Sequence, residues 1–215
     1  MRKCFDIIRR TSRVNYILIC LFISLSITSH LIAYRLVSFF GISVFPSSLT
    51  YMLCFVILNM MSAYNPNTFI WLVVIMESVA NFIMIFTTHT VIHLPHPTYF
   101  SNELSYVSVF APIGRLYWAN VLGNLVGFVI NVLIFNYLYK GRGILFFFSS
   151  ITSSFIVVVI YTAVTDYFAF DFLYKSHISE LVIVNIISNL FFVAFFSIPS
   201  VMVVKAILNY IDRGS

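Results

Sequence analysis

The first residue that could do chemistry is a single acidic side chain in an otherwise apolar stretch. Glu77 lies near the middle of the apolar run 67–88, in the sequence Val-Ile-Met-Glu-Ser. An ionisable group inside a membrane helix is costly and is therefore a functional candidate. Two interpretations stay open. Glu77 is either a carboxylate that binds a proton or a ligand, or a protonated side chain that hydrogen-bonds a neighbouring helix.

A second group of candidates consists of asparagines in apolar runs. Asn185 and Asn189 are four residues apart and so share one face of a helix. Others lie in two further runs, at Asn59 and at Asn120, Asn124 and Asn131. A carboxamide offers two donors and an acceptor without charge, which suits recognition of a polar, neutral ring. For each one, hydrogen bonding between helices is the alternative interpretation.

Three histidines follow each other closely, at His89, His93 and His96. Their spacing would suit a metal site on a helix, but Pro95 and Pro97 interrupt that helix, and no cysteine or carboxylate completes the set. The sequence also contains no Ser/His/Asp elbow and no phosphate-binding glycine loop. We therefore expect neither an enzyme nor a bound metal or cofactor.

Composition places these candidates in a membrane. Of the 215 residues, 61% are hydrophobic and only 9% are charged, far fewer than the roughly 25% of soluble domains. A spanning helix needs roughly 20 apolar residues. The chain has six such runs, at about 15–38, 46–63, 67–88, 116–138, 143–165 and 180–208. They predict an all-α, polytopic bundle of six transmembrane helices in one domain, 15–208, with a basic segment 1–14 and a tail 209–215.

The placement of Lys and Arg predicts the orientation. With an N-terminus in the cytoplasm, six crossings return the C-terminus there, and nine of the twelve basic residues lie inside. Outside are only Arg35, Arg115 and Lys175. This bias follows the positive-inside rule, so the net charge of +5 indicates topology and not nucleic-acid binding. The first run is expected to be a retained helix, since no small-residue cleavage site follows it.

One packing motif bears on assembly. Gly123 and Gly127 in the fourth run have the GxxxG spacing, which permits close contact between helices. The contact could be within one subunit or between two copies, so homo-oligomerisation is left open.

The order of these features resembles a known family. The segment SHLIAYRLVSFFG at 29–41 is similar to the first-helix segment of the queuosine precursor transporters, also called vitamin uptake transporters. The segments 115–136 and 180–199 resemble the fourth and last helices of that family. Members are bacterial inner-membrane proteins of about six helices, linked to uptake of 7-cyano-7-deazaguanine and its aminomethyl analogue.

The chain also departs from the family pattern. In the family, Asn usually stands at His30, Lys at Arg35 and Asp at Asn131, with Asp or another polar residue near Asn185 and Lys near Asn189. An Asp expected at the end of the second helix is missing, and Asn59 is the nearest polar residue. An Asp-Thr pair expected in the fifth helix is replaced by the apolar residues 158–160.

The resemblance implies import of a deazaguanine precursor of queuosine across the inner membrane, with the lipid bilayer and a small planar ring as partners. The ring would stack on Tyr34, Tyr117 or Trp118. Its polar edge would be bound near the bilayer midplane. The expected substrate-binding residues are His30, Arg35, Asn59, Arg115, Asn131, Asn185 and Asn189, with Glu77 as a candidate for ion or proton coupling. The alternatives are another nucleobase or vitamin as substrate, or a membrane protein that packs against partners without transporting.

Overall fold

The computed structural model describes residues 2–39, 42–97 and 99–212. In these residues the chain forms an α-helical bundle with one short hairpin of antiparallel strands, β1 and β2, in which Ser38 pairs with Ser43. The elements, in chain order, are α1 (Arg2–Ile32), β1 (Val37–Phe39), β2 (Ile42–Val44), α2 (Ser47–Tyr64), α3 (Asn67–Val91), α4 (Glu103–Phe110), α5 (Ile113–Asn136), a π-helical turn (Tyr137–Gly141), α6 (Phe146–Tyr174) and α7 (Ile178–Asp212).

Five helices are long and apolar enough to cross a membrane: Arg9–Ile32 of α1, all of α2 and α3, Phe146–Phe172 of α6, and α7. Helix α5 has 24 residues, which is also a spanning length. Helical backbone satisfies its own hydrogen bonds, as a chain in lipid must. The protein is thus an all-α, multi-pass membrane protein by the length and composition of its helices.

Helix α2 lies at the centre of the bundle, in contact with α1, α5, α6 and α7. Its buried face includes Phe55 and Leu58, which are fully enclosed. Helix α3 lies at the periphery and exposes a band of large apolar side chains: Leu72, Ile75, Met76, Val79, Phe82, Ile83 and Phe86. Exposure of so wide an apolar surface to water is unfavourable, whereas lipid chains are as apolar as these side chains.

Polar contacts tie four segments together at one end of the bundle. Arg10 near the start of α1 donates to the carbonyl of Tyr210 near the end of α7, at 2.9 Å. Lys140 donates to the carbonyl of Asn65, at 2.8 Å, which joins the turn after α5 to the turn after α2. The amides of Asn15 and Asn65 exchange two hydrogen bonds of 3.0 Å. We call this the basic end, because these segments carry most of the basic residues.

The opposite end, here called the hairpin end, contains the β1–β2 hairpin, α4 and the turn between α6 and α7. The hydroxyl of Tyr34 donates to the carbonyl of Pro112 at 2.8 Å and so ties the end of α1 to the start of α5. Strand β2 packs against α7. Both ends of the long helices are therefore anchored by contacts between elements distant in sequence.

Several predicted boundaries differ from the structure. The first run was predicted to continue to 38, but α1 ends at Ile32 and β1 follows. From Arg2 onward the predicted basic segment 1–14 is the first part of α1. The fifth run was predicted to end at 165, whereas α6 continues to Tyr174. The segment 89–115, expected to be a loop or a re-entrant segment, contains the last turn of α3 and the short helix α4.

Candidate functional site

A polar cavity lies between α1, α2, α6 and α7, on the side of the bundle nearer the hairpin end. Its walls are Ser29, His30, Ala33, Phe45, Ser47, Ser48, Tyr51, Tyr161, Thr162, Thr165, Asp166, Phe170, Asn185 and Asn189. The empty space is about 430 Å³ including the mouth. The centre of a water molecule fits in about 50 Å³ of it without touching the walls too closely. One water needs roughly 10–15 Å³ by that measure, so the cavity holds a few waters, and a bicyclic ring requires lining side chains to move apart.

A chain of hydrogen bonds crosses one wall of this cavity. The hydroxyl of Ser48 at the start of α2 donates to the side-chain carbonyl of Asn185 on α7. The amide nitrogen of Asn185 donates in turn to Oδ2 of Asp166 on α6, at 2.6 Å. The Asp166 carboxylate, which accepts only, fixes which way the Asn185 amide points, and the Ser48 hydroxyl donates to the carbonyl end. The Asp166 carboxylate therefore receives a donor held by two other helices.

The second amide of α7 makes a shorter chain. The amide nitrogen of Asn189 donates to the Thr162 hydroxyl at 2.9 Å. Its carbonyl oxygen is buried and accepts no hydrogen bond in the described part of the chain. A buried acceptor without a donor costs roughly 1–3 kcal/mol, so this oxygen gains if a ligand supplies an N–H or O–H group.

Two aromatic pairs bound the cavity. The rings of Tyr51 and Tyr161 stack at a centroid distance of 5.3 Å and an interplanar angle of 22°. Nearer the hairpin, Phe45 and Phe170 stack at 4.6 Å and 23°. Flat rings bind well against such faces in offset geometry.

Glu77 lies outside this cavity and is connected to it through Ser26 and His30. It is fully buried, and its Oε1 accepts hydrogen bonds from the Ser26 hydroxyl and from the amide of Asn81, the latter at 2.8 Å. The Ser26 carbonyl in turn accepts a hydrogen bond from Nδ1 of His30 at 2.8 Å. His30 lines the cavity. Four residues of α1, about 6 Å along its axis, thus connect the carboxylate to the cavity wall.

Asn59 and Asn131 belong to a separate network. The amide of Asn131 donates to the Asn59 carbonyl at 2.8 Å, and Asn59 donates to Ser150 and Ser154 at 3.0 and 3.2 Å. Ser154 donates back to the Asn131 carbonyl at 3.3 Å. All four side chains are fully buried, and none of them lines the cavity. The network joins α2, α5 and α6 and satisfies its amides, which is what interhelical packing requires.

The two arginines expected at the site lie on the exterior. Arg115 is exposed; its Nε donates to the Phe168 carbonyl at 2.9 Å, and its guanidinium lies 4.4 Å from the centre of the Phe172 ring. Arg35 is exposed just after α1, toward the hairpin end. Neither lines the cavity.

The rings expected to stack on the substrate lie elsewhere too. The Trp118 side chain is 66% exposed, and Tyr117 packs against it and against Phe82. Tyr34 contacts Phe170 edge-on, outside the cavity lining. The cavity is instead lined by the stacked pairs Tyr51–Tyr161 and Phe45–Phe170.

Of the expected binding residues, the structure brings together His30, Asn185 and Asn189. Asn120, Gly123 and Asn124 belong to α5, and their contacts lie outside the described part of the structure. Gly127 packs within the chain, since a Cβ there would lie 3.4 Å from the side chains of Val157 and Tyr161. Among the described residues, no three His, Cys, Asp or Glu side chains are grouped so as to hold a metal ion.

Asp166 is the ionisable residue of the cavity that the sequence prediction lacks, as it also lacks Tyr51 and Tyr161. The apolar pattern predicts that the fifth helix ends at 165, which puts the carboxylate at the next position in a connection. A signal was available, because the sequence Tyr-Phe-Ala-Phe that follows Asp166 is still apolar. A helix continued through those residues places an acidic group inside the bundle, which marks it as a functional candidate.

Comparison of the chain with known protein families, with characterised proteins and with solved structures gives no match.

Proposed function

We propose that this protein is a bacterial inner-membrane transporter that imports a planar, polar ring, namely a deazaguanine precursor of queuosine. The observation that carries the proposal is the cavity inside the bundle, with Asp166, Asn185 and Asn189 on its polar side and the Tyr51–Tyr161 pair beside them. Packing alone does not require a cavity lined by a carboxylate. Substrate sites of membrane transporters are formed by polar groups of this kind, shielded from lipid by surrounding helices.

The proposed topology has six crossings, with both termini in the cytoplasm. It is supported by the spanning length of α5 and by the contact of Arg10 with Tyr210, which brings the start of α1 and the end of α7 to the same end. An even number of crossings has that consequence. The basic end would face the cytoplasm, following the positive-inside rule.

Glu77 is proposed to bind the coupling proton. Its carboxylate is buried against α1, and the path through Ser26 to His30 connects it to the substrate cavity. Protonation would remove the charge that the Ser26 and Asn81 donors stabilise, and the contact between α1 and α3 would loosen. We expect a change in that contact to shift His30 in the cavity wall.

Uptake tests the function directly. The protein is expressed in bacteria that can neither make nor import 7-cyano-7-deazaguanine, the base is supplied at low concentration, and queuosine is measured in transfer RNA. We expect restored modification, and its loss in Asn185→Leu at equal protein level in the membrane. Absence of modification with the wild-type protein present in the membrane would refute this substrate.

A second candidate is a protein that only packs against membrane partners. The Asn59–Asn131 network favours it in part, because those amides are fully used between helices. It predicts that no labelled base, vitamin or nucleobase accumulates in cells expressing the protein. A panel of such ligands separates it from a transporter of different specificity.

A further inference from the structure

Two polar side chains of the cavity, Asp166 and Asn189, have oxygen atoms that can still accept hydrogen bonds. Asp166 is only 7% exposed and lines the cavity, and its single hydrogen bond among the described residues goes from Asn185 to Oδ2. Oδ1 and the second lone pair of Oδ2 accept nothing from the described residues, so both carboxylate oxygens can still accept from a ligand. The Asn189 carbonyl oxygen, on a side chain that is 3% exposed, likewise accepts no hydrogen bond within the described ranges. An ionised carboxylate and an amide carbonyl oxygen are both acceptors, so the ligand that completes the site must bring donors.

Of the two acceptors, the Asp166 carboxylate has the greater need for a further hydrogen-bond donor. A buried charge is expensive unless it is paired or hydrogen-bonded, and no described basic side chain forms an ion pair with Asp166. Asn185 supplies one N–H to the carboxylate, and its carbonyl oxygen accepts from the Ser48 hydroxyl. A further donor has to come from the cavity side.

The shape of the cavity selects among donors. A carboxylate accepts best from two parallel N–H groups on one rigid edge, as in bidentate pairing with a guanidinium. The stacked rings of Tyr51 and Tyr161 line the same cavity as the acceptors, which favours a planar ligand over a flexible ammonium. The 2-amino-4-oxopyrimidine edge of guanine-type rings has these properties, because its ring N–H and its amino group point in one direction.

We propose that Asp166 is the specificity-determining residue of the cavity and that it selects rings with two adjacent N–H donors, meaning 2-amino-4-oxo rings over their 2-oxo and 2-unsubstituted counterparts. Asn185 acts as a positioning residue that holds the carboxylate in place. This inference rests on the proposed function, since it takes the cavity as the substrate site. It goes further by naming the edge of the ring that is recognised and the atom that recognises it.

The test compares three competitors that differ at one position of the ring. Purified protein in lipid nanodiscs is incubated with labelled 7-cyano-7-deazaguanine, and the label is displaced by the unlabelled 2-amino, 2-oxo or 2-unsubstituted ring. A good bidentate pair is worth roughly 1–3 kcal/mol, so we expect the 2-amino ring to compete about 5- to 150-fold better than the other two. Equal competition by all three rings would overturn the inference while leaving the transport function intact.

The nearly isosteric variant Asp166→Asn sharpens the test. Its amide offers one acceptor and one donor, so the preference should shift toward the 2-oxo ring, a gain that a misfolded protein cannot show. Asp171→Asn is the matched control, because it makes the same change on α6 at a residue outside the cavity lining, and its ranking should equal that of the wild type. An unchanged ranking in Asp166→Asn would also overturn the inference. If the wild-type protein binds no labelled base at all, the proposed function itself fails, and the inference fails with it.

Discussion

The amide of Asn185 and the carboxylate of Asp166 form a 2.6 Å hydrogen bond across the contact between α7 and α6. The Ser48 hydroxyl fixes the other end of the same amide, so three helices meet in one chain of donors and acceptors. A hydrogen bond to a charged acceptor is stronger than one between neutral groups. This chain therefore both stabilises the bundle and orients the carboxylate toward the cavity.

Removing Asn185 should cost more stability than removing Asp166. Asn185→Ala leaves a buried carboxylate without its donor, whereas Asp166→Ala removes the charge together with its desolvation penalty. We expect a coupling free energy of about 1–2 kcal/mol from a double-mutant cycle measured by unfolding in mixed micelles. Asp166→Ala combined with Asn131→Ala is the control and should be additive, because the two side chains share no partner. Additivity of the Asn185 and Asp166 pair would mean that the bond contributes nothing.

Asn131→Leu should separate packing from binding. Asn131 lies in the network with Asn59 and away from the cavity, so its loss should lower the unfolding free energy by about 0.6–1.7 kcal/mol. Affinity for the substrate should stay that of the wild type. Equilibrium binding and unfolding measured on the same preparation check both. Loss of binding at native stability would instead return Asn131 and Asn59 to the substrate site, as the sequence interpretation expected.

The sequence predicts helix positions best where the apolar length needed to cross a membrane alone determines them. Lipid demands roughly 20 apolar residues per crossing, and the predicted runs at 46–63 and 67–88 agree with α2 and α3 to within a few residues. The predicted helix ends were less accurate where a helix continues beyond the roughly 20 residues that a crossing needs. Helix α6 has 29 residues, and the part that exceeded the prediction contains Asp166.

The composition of the site was harder to predict, since helices that are apolar on every side give no periodic signal. Asn131 and Asn185 look alike in sequence, in that each is a single amide in an apolar run. Only the packing of α2, α5, α6 and α7 decides that the first faces Asn59 and the second faces the cavity. The same holds for Tyr51 and Tyr161, whose stacking joins residues 110 positions apart.

The proposed topology can be tested by cysteine labelling. In a variant without Cys4, Cys20 and Cys54, Ser176→Cys at the hairpin end should react with a membrane-impermeant maleimide added to spheroplasts. Gly141→Cys at the basic end should react only after the membrane is permeabilised. These two positions lie at opposite ends of α6. Labelling of both from the same side would exclude the proposed arrangement, and the reverse pattern would invert it.

Glu77→Gln should uncouple uptake from the proton gradient. The uncharged amide keeps the size of the side chain and can still accept from Ser26, so the protein should fold, but it cannot take up and release a proton. In proteoliposomes, an inward proton gradient should raise the initial uptake rate of the wild type and leave that of the variant unchanged. Glu180→Gln, at an exposed residue of the hairpin end, should behave as the wild type. Stimulation by a sodium gradient alone would argue for a different coupling ion.

The stacked tyrosines predict how much of the affinity comes from aromatic contact. Tyr51→Leu removes the flat face while keeping an apolar side chain, and base stacking on an aromatic ring is worth roughly 1–3 kcal/mol, so binding should weaken about 5- to 150-fold. Tyr51→Phe keeps the ring and should retain most of the affinity. Phe55→Leu is the control, because Phe55 packs edge-on against Tyr51 at 5.6 Å without lining the cavity. If the Leu and Phe variants lost equal affinity, the Tyr51 hydroxyl and its hydrogen bond with Tyr161, not the ring face, would be the group that matters.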